Sequence, residues 1–182
     1  MIMPNFIQLL NVFISTGRVM TIFKDITGKI QTIDKSVGNS AWINAYLNAI
    51  YENSPLGDYS IDTFYNGSYI FLGSGMTAPT KDNYTLEAPY TYASDGLHVV
   101  SMAKSYKETY TTNRVYTITV KNNSNEDITI SEIGWFLAWC TDGTTGSTLS
   151  AYFRNLMARE VFEPVTLQPG ETRPFTMTIG FE

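Results

Sequence analysis

The sequence predicts a mainly β protein, an antiparallel β-sandwich of jelly-roll or Ig-like type with one N-terminal α-helix. Composition is the first reason, because 14% of the 182 residues are aromatic, and aromatic and β-branched residues fit a pleated surface. The second reason is strand-like patterning in the last third of the chain, at residues 128–136, 156–162 and 175–181. The third is the turn chemistry between these segments, such as the Pro-Gly pair at 169–170.

We divide the chain into residues 1–58, an N-terminal arm with a short hairpin and a helix, and residues 59–182, the β-sandwich domain. The arm is apolar over residues 6–14, which is too short to span a bilayer and has no preceding Lys or Arg, unlike a signal peptide. We interpret residues 1–19 either as an arm that docks elsewhere or as an extension upstream of a true start at Met20.

The hairpin and the helix are predicted from local signals. Residues 21–33 alternate around the turn dipeptide Thr27-Gly28, which predicts a short hairpin. Ser36 or Asn39 can then cap a helix. Its apolar face has helical spacing and consists of Trp42, Ala45, Tyr46, Ala49 and Ile50.

Three further strands are predicted at residues 68–73, 97–103 and 114–120. Between the first two lies a long polar connection, residues 73–89, which is punctuated by Gly and Pro. Such a connection is longer than most loops in a compact domain. We expect it to be either an arm laid over an adjacent subunit or an ordinary crossover between two sheets.

Charge and cysteine content exclude several classes of function. The formal net charge is −5 and the basic residues are scattered, so we expect no nucleic-acid partner, and no segment indicates a membrane partner. The single cysteine, Cys140, allows no intrachain disulfide and no multi-cysteine zinc site, and we expect no cofactor. Charged residues form 16% of the chain, against about 25% in typical soluble domains. This low fraction favours a surface that contacts other protein copies or sugars.

Few residues suggest catalysis or metal binding. His98 is the only histidine and no nucleophile motif accompanies it, so we assign no catalytic residue. Cys140 follows an apolar run and is interpreted as a small buried residue. Residues 122–127 carry oxygen ligands that suit calcium, but the glycine and the distal glutamate of the helix-loop-helix calcium motif are missing. A plain turn is our preferred interpretation of this segment, and we assign no metal ligand.

Carboxylates near strand ends offer an alternative chemistry. Glu132, Glu160 and Glu163 could supply the paired acids of a glycosidase. Glu132 and Arg159, however, lie on strands that we expect to be neighbours, and a cross-strand ion pair is the simpler interpretation.

Two tryptophans share one face of a predicted strand. Trp135 and Trp139 are four residues apart, and residues at this spacing point to the same side of a strand. The pair is either part of the core, which we favour, or a sugar-stacking platform. We expect Ile133 to point inward on this central strand.

Three blocks, taken together and in order, resemble a known group of proteins. They are residues 69–89 (YIFLGSGMTAPTKDNYTLEAP), residues 130–134 (ISEIG) and residues 156–171 (LMAREVFEPVTLQPGE). This order is similar to that in tailed-bacteriophage virion structural proteins of small β-sandwich type, which serve as head decoration, head fibre, neck or tail-tip components. The resemblance covers roughly residues 68–182 and carries no catalytic residues.

The resemblance implies a non-enzymatic role in the virion, after synthesis in the cytoplasm of the bacterial host. Its partners would be other virion proteins, with a homo-oligomer expected. Capsid decoration or cement is the preferred position, and a neck or tail component comes next. Four residues of the long connection are the expected intersubunit contacts: Met76, Pro79, Tyr84 and Leu86. The alternative is a carbohydrate-binding or host-receptor-binding module of a phage fibre or tail tip, with Trp135 and Trp139 stacking on the sugar.

Overall fold

The computed structural model of the chain describes residues 1–3, 19–28, 30–35, 60–61, 67–106, 114–140 and 152–179. These residues form eight β-strands, and no helix lies among them. The strands are β1 (Val19–Lys24), β2 (Ile30–Lys35), β3 (Gly67–Gly73), β4 (Leu97–Tyr106), β5 (Arg114–Asn122), β6 (Ile128–Cys140), β7 (Tyr152–Leu167) and β8 (Thr172–Ile179). The helix predicted after residue 36 and the domain boundary predicted at 58/59 fall outside the described residues.

The predicted N-terminal hairpin is confirmed. Strands β1 and β2 pair antiparallel around a turn that is built from local side-chain bonds. Asp25 Oδ1 accepts hydrogen bonds from Thr27 N and Thr27 Oγ1 at 2.9 and 2.6 Å. Gly28 has a φ of +79°, a left-handed conformation that glycine adopts without strain. The turn also contacts β7, where Ile26 N donates to Arg154 O at 3.0 Å.

The six remaining strands form two antiparallel sheets of three strands each. One has the order β3-β6-β7, and is called the 3-6-7 sheet below; the other has the order β4-β5-β8, and is called the 4-5-8 sheet. The chain passes between the sheets through residues 74–96, 123–127 and 168–171. The last of these is the predicted Pro-Gly turn, in which Gly170 has a φ of +81°. The mainly β, antiparallel class is therefore confirmed.

The inner faces of the two sheets meet in a shared core. Trp135 of β6 stacks on Tyr116 of β5, with ring centroids 5.4 Å apart. Phe162 of β7 and Phe175 of β8 meet at 6.0 Å. Ile133 is 2% exposed, as expected for a residue that points inward. Burial of these apolar side chains is the main favourable contribution to folding.

The two sheets differ on their outer faces. In β8 the buried positions alternate with exposed ones, and Thr176 and Thr178 face solvent. In β6 every residue from 130 to 137 is buried. A strand that is buried on both faces needs a cover on each side.

One segment covers the outer face of the 3-6-7 sheet, and another pairs with the edge of β7. Leu86, in the connection from β3 to β4, is 1% exposed and lies over Gly134 of β6. The first residues of the chain pair with β7, where Met3 N donates to Met157 O at 2.8 Å. Met3 is fully buried. The rest of the N-terminal arm, residues 4–18, lies outside the described residues.

The connection from β3 to β4 also closes the outer edge of β3. Tyr90 N donates to Leu72 O at 2.9 Å, and Ser74 N donates to Ala88 O at 3.0 Å. The hydroxyl of Tyr92 accepts from Leu72 N at 3.0 Å and donates to the carbonyl of Ile70 at 3.2 Å. Burial raises the pKa of Tyr92 far above its usual value, so the hydroxyl keeps the proton that it donates. An unpaired strand edge, which would invite aggregation, is avoided here.

Candidate functional site

A single carboxylate holds both ends of the connection between β3 and β4. Glu132 is fully buried in the middle of β6. Its Oε1 accepts hydrogen bonds from Gly75 N at 3.1 Å and from Ala88 N at 2.8 Å. Its Oε2 accepts from Glu87 N at 3.1 Å. The segment between these anchors, residues 76–86, is therefore a loop whose two ends meet on one side chain, and we call it the clamped loop.

Arg159 of β7 compensates the charge of Glu132. Its Nε donates to Glu132 Oε2 at 2.9 Å, and Nη2 lies 2.9 Å from the same oxygen. The guanidinium then reaches into the loop, from Nη1 to Asn83 Oδ1 at 3.0 Å and from Nη2 to Glu87 Oε2 at 3.4 Å. The side chains of Arg159 and Glu132 are 1% and 0% exposed. The predicted cross-strand ion pair is confirmed, and the hydrogen bonds around it offset the cost of burying two charges.

The glycines at the start of the connection are explained by the clamp. A Cβ atom at Gly75 would lie 2.5 Å from Glu87 Cβ and 2.7 Å from Glu132 Oε1. A side chain there would push the loop away from the carboxylate. The sequence indicates only that glycine punctuates this connection, whereas in the structure Gly75 allows the backbone to approach Glu132 closely.

The clamped loop begins with an uncharged, exposed stretch, residues 76–78. Met76 is 65% exposed, and Thr77, Ala78 and Thr80 are exposed as well. Thr77 donates to Glu87 through its N and its Oγ1, both at 2.8 Å. The hydrogen bond from the Thr77 backbone, followed by that from its hydroxyl, lowers the pKa of Glu87. Met76 is thus a free apolar side chain on a backbone that is fixed on both sides.

The four expected contact residues have different surroundings. Met76 is exposed, while Pro79 and Tyr84 are partly buried. The Tyr84 ring lies under Lys24 Nζ, which is 4.2 Å from the ring centroid, so Tyr84 packs against the hairpin of its own chain. The prediction that Leu86 contacts another subunit is wrong, because its side chain is buried in the core. Of the two alternatives for residues 73–89, the structure shows the crossover between the sheets and not an arm laid over a neighbouring subunit.

The alternative in which Trp135 stacks on a sugar is also wrong. Trp135 is 3% exposed, its ring stacks on Tyr116, and its Nε1 donates to Ser68 Oγ at 2.7 Å. It therefore has no exposed face on which a sugar could stack. The side chain of Trp139 falls outside what the structure describes.

The other chemical candidates are not brought together. His98 lies on β4 opposite Lys121, and Glu160 and Glu163 are exposed on β7. Glu132 already accepts from three backbone N–H groups and from Arg159, which leaves no lone pair directed at a substrate. Across the described residues, no three of His, Cys, Asp and Glu come close enough to hold a metal ion.

The turn after β5 is built by Asn122. Its Oδ1 accepts from Ser124 N at 2.9 Å and from Ser124 Oγ at 2.7 Å. Its Nδ2 donates to Leu167 O at 2.9 Å, which ties the turn to the end of β7. The Asn122 oxygen is thus used for hydrogen bonds within the turn.

Comparisons add no relative to this description: no protein-family model matches the chain, no curated protein matches its sequence, and no solved structure matches its fold. In the described part of the chain, no helix has the length and apolar character needed to cross a membrane. The resemblance to phage virion proteins stays a prediction from the three sequence blocks.

Proposed function

We propose that this chain is a non-enzymatic structural component of a tailed-bacteriophage virion, where it binds neighbouring virion subunits. Capsid decoration or cement is the preferred role, and a neck or tail component is the next. The three sequence blocks support the assignment to the virion. The exposure of Met76 on the clamped loop is the observation that carries the contact mechanism.

We infer further that the two sheets form a β-sandwich. Three connections pass between the sheets, and aromatic pairs such as Trp135 and Tyr116 join their inner faces. The six strands of the orders β3-β6-β7 and β4-β5-β8 are closer in number to the seven of an Ig-like domain than to the eight of a jelly roll, which favours the Ig-like arrangement. A disulfide-free domain of this kind suits a position that is repeated many times in a particle.

The clamped loop is suited to binding because its shape is set before a partner arrives. Ordering a loop at an interface costs free energy, and a loop that is already ordered avoids that cost. Hydrogen bonds from Gly75, Glu87 and Ala88 to Glu132 supply the order. Met76 can then enter an apolar pocket of a neighbouring subunit, and the flexible methionine side chain adapts to the shape of that pocket.

A test of this contact needs a change that leaves the clamped loop in place. Residues 73–89 cover the core through Leu86 and are bonded to Glu132, so deleting them would disturb the fold. A point substitution at Met76 leaves these contacts in place. Val100, which is 46% exposed on β4 of the other sheet, offers a matched control.

The experiment is the molar mass of the full-length chain by light-scattering chromatography at several concentrations. We expect a discrete oligomer, a shift of Met76→Ser towards monomer, and no shift for Val100→Ser. A chain that is monomeric at every concentration, or an oligomer that Met76→Ser leaves unchanged, would refute contact through the clamped loop.

The assignment to a virion needs its own measurement. Particles induced from the strain that carries the gene can be purified on a density gradient and analysed by mass spectrometry. We expect the chain in the particle fraction at a fixed ratio to the major capsid protein. Recovery of the chain only in the soluble fraction would refute the assignment.

A further inference from the structure

A polar cleft lies beside the clamped loop and plays no part in the contact proposed above. It has a volume of about 350 Å³. This is at the small end of the range of about 300–1,000 Å³ that is typical of ligand sites. Its lining is Thr77, Asp82, Asn83, Tyr84, Thr85, Leu86, Glu87 and Arg159.

The orientation of the Asn83 amide in this cleft is fixed. Thr80 N donates to Asn83 Oδ1 at 2.8 Å, and Arg159 Nη1 donates to the same oxygen at 3.0 Å. Because both donors need an oxygen, Nδ2 must be the other atom of the amide. Among the residues that the structure describes, Nδ2 donates to none. Asn83 therefore offers two N–H donors at the cleft.

The next residue supplies the complementary acceptors. Asp82 is exposed, lines the same cleft, and its carboxylate accepts no hydrogen bond from the described part of the chain. A carboxylate accepts hydrogen bonds only, and an amide Nδ2 donates only. Asp82 and Asn83 together match a ligand that carries neighbouring groups able both to donate and to accept.

The charges around the cleft select a neutral ligand. Asp82 and Glu87 place carboxylates at the cleft, and the chain has a net charge of −5, so anions are disfavoured. The positive charge of Arg159 is already compensated by Glu132 and Glu87. A cation is disfavoured in turn by the N–H donors of Asn83. A pair of neighbouring hydroxyl groups satisfies all of these conditions.

We propose that this cleft binds a neutral sugar residue through a vicinal diol. One hydroxyl accepts from Asn83 Nδ2 and a hydroxyl beside it donates to the Asp82 carboxylate. Arg159 acts as a positioning residue, because it holds Asn83 by its oxygen. A site that holds one sugar ring is expected to bind it with a Kd of about 1 mM. Many copies of the site in one assembly would bind a multivalent glycan more tightly through avidity.

The test is a titration of the full-length ¹⁵N-labelled chain, followed by ¹H–¹⁵N NMR. The probes are the methyl glycosides of glucose, mannose and galactose, and N-acetylglucosamine. With at least one of them we expect saturable shifts of the Asp82 and Thr85 amides and of the Asn83 side-chain NH₂. Asn83→Asp keeps the oxygen that Thr80 and Arg159 need but removes both donors, and should weaken binding by about tenfold or more.

The controls separate this site from its alternatives. Asp95→Ala removes an exposed acid on a different turn and should leave binding unchanged. Asp82→Ala should weaken binding as Asn83→Asp does, and the spectra outside the loop should show that both variants are folded. The proposal is overturned if no probe causes shifts, if Asn83→Asp binds like the natural chain, or if calcium chloride alone reproduces the shifts. None of these results bears on the light-scattering test.

Discussion

The outer faces of the two sheets show two ways of finishing a β-sheet. The 4-5-8 sheet faces solvent, and on β8 its threonines are exposed while the residues between them are buried. The 3-6-7 sheet is covered by irregular chain, and β6 is buried on both sides from residue 130 to 137. An irregular segment that covers a sheet buries backbone N–H groups away from water, and each buried N–H group needs a hydrogen-bond acceptor. Glu132 supplies that acceptor for three of them, so the charged pair with Arg159 is a consequence of covering the sheet.

The largest expected effect comes from placing a charge on the shared inner face. Ile133→Asp puts a carboxylate at a position that is 2% exposed, with no cation provided for it. We expect the variant not to fold, as measured by loss of the near-UV circular dichroism signal. Thr178→Asp on the open face of β8 is the control and should keep the signal. A folded Ile133→Asp protein would show that the register of β6 is wrong.

Removing the clamp is the next largest effect. Glu132→Ala removes the buried carboxylate that pairs with Arg159 and leaves three N–H groups without their acceptor. We expect a loss of about 3–5 kcal/mol in the free energy of unfolding, measured by urea titration. Glu163→Ala, at an exposed position of the neighbouring strand, should change it by less than about 0.5 kcal/mol. Equal effects for the two glutamates would contradict the role of the clamp.

A third, smaller effect is expected from a substitution at Gly75, where the connection from β3 to β4 lies close to the 3-6-7 sheet. Gly75→Ala would place its Cβ 2.5 Å from Glu87 Cβ, an atom that can move only with the backbone. We expect a loss of about 1–3 kcal/mol in the free energy of unfolding, measured by urea titration. At Gly96 the nearest atom to an added Cβ is Ala93 Cβ at 3.9 Å, so Gly96→Ala should cost almost nothing. A loss of similar size at both positions would contradict crowding against Glu87 as the cause, because Gly96 has no such close neighbour.

The smallest expected effect is a pH dependence of the stability that Glu87 contributes on the covered face. Hydrogen bonds from Thr77 lower the pKa of Glu87 below its ordinary value of 4.5. The stability that Glu87 contributes is therefore present above about pH 4.5 and is lost as the pH falls through the lowered pKa. We expect the Tm of the natural chain to approach that of Glu87→Gln over this acid range. A Tm difference that stays constant down to the acid limit would exclude Glu87 as the titrating group.

Local signals in the sequence were sufficient for several elements. The hairpin of β1 and β2 follows from a turn that Asp25, Thr27 and Gly28 build among themselves. Strand β8 follows from its alternation, since one of its faces is open. The pair of Glu132 and Arg159 could be predicted because two opposite charges occur on strands that were expected to be neighbours.

The cover of the 3-6-7 sheet could not be predicted in the same way. Its hydrogen bonds join residues far apart in sequence, such as Gly75 and Glu132, and depend on backbone N–H groups that every residue has. The sequence therefore predicts a surface position for Leu86, whereas in the structure its side chain packs over Gly134. One signal was present in the sequence: Glu132 lies within a largely apolar strand segment, and a glutamate that is buried there needs a partner.

Hydrogen exchange of the natural chain tests most directly whether Glu132 holds the loop onto the sheet. We predict that the amides of Gly75, Glu87 and Ala88 are protected as strongly as those of β3, and lose this protection in Glu132→Gln while β8 keeps its own. If these three amides exchange in the natural chain as fast as that of the exposed Ala78, the loop is not clamped. The account of the covered face would then be wrong.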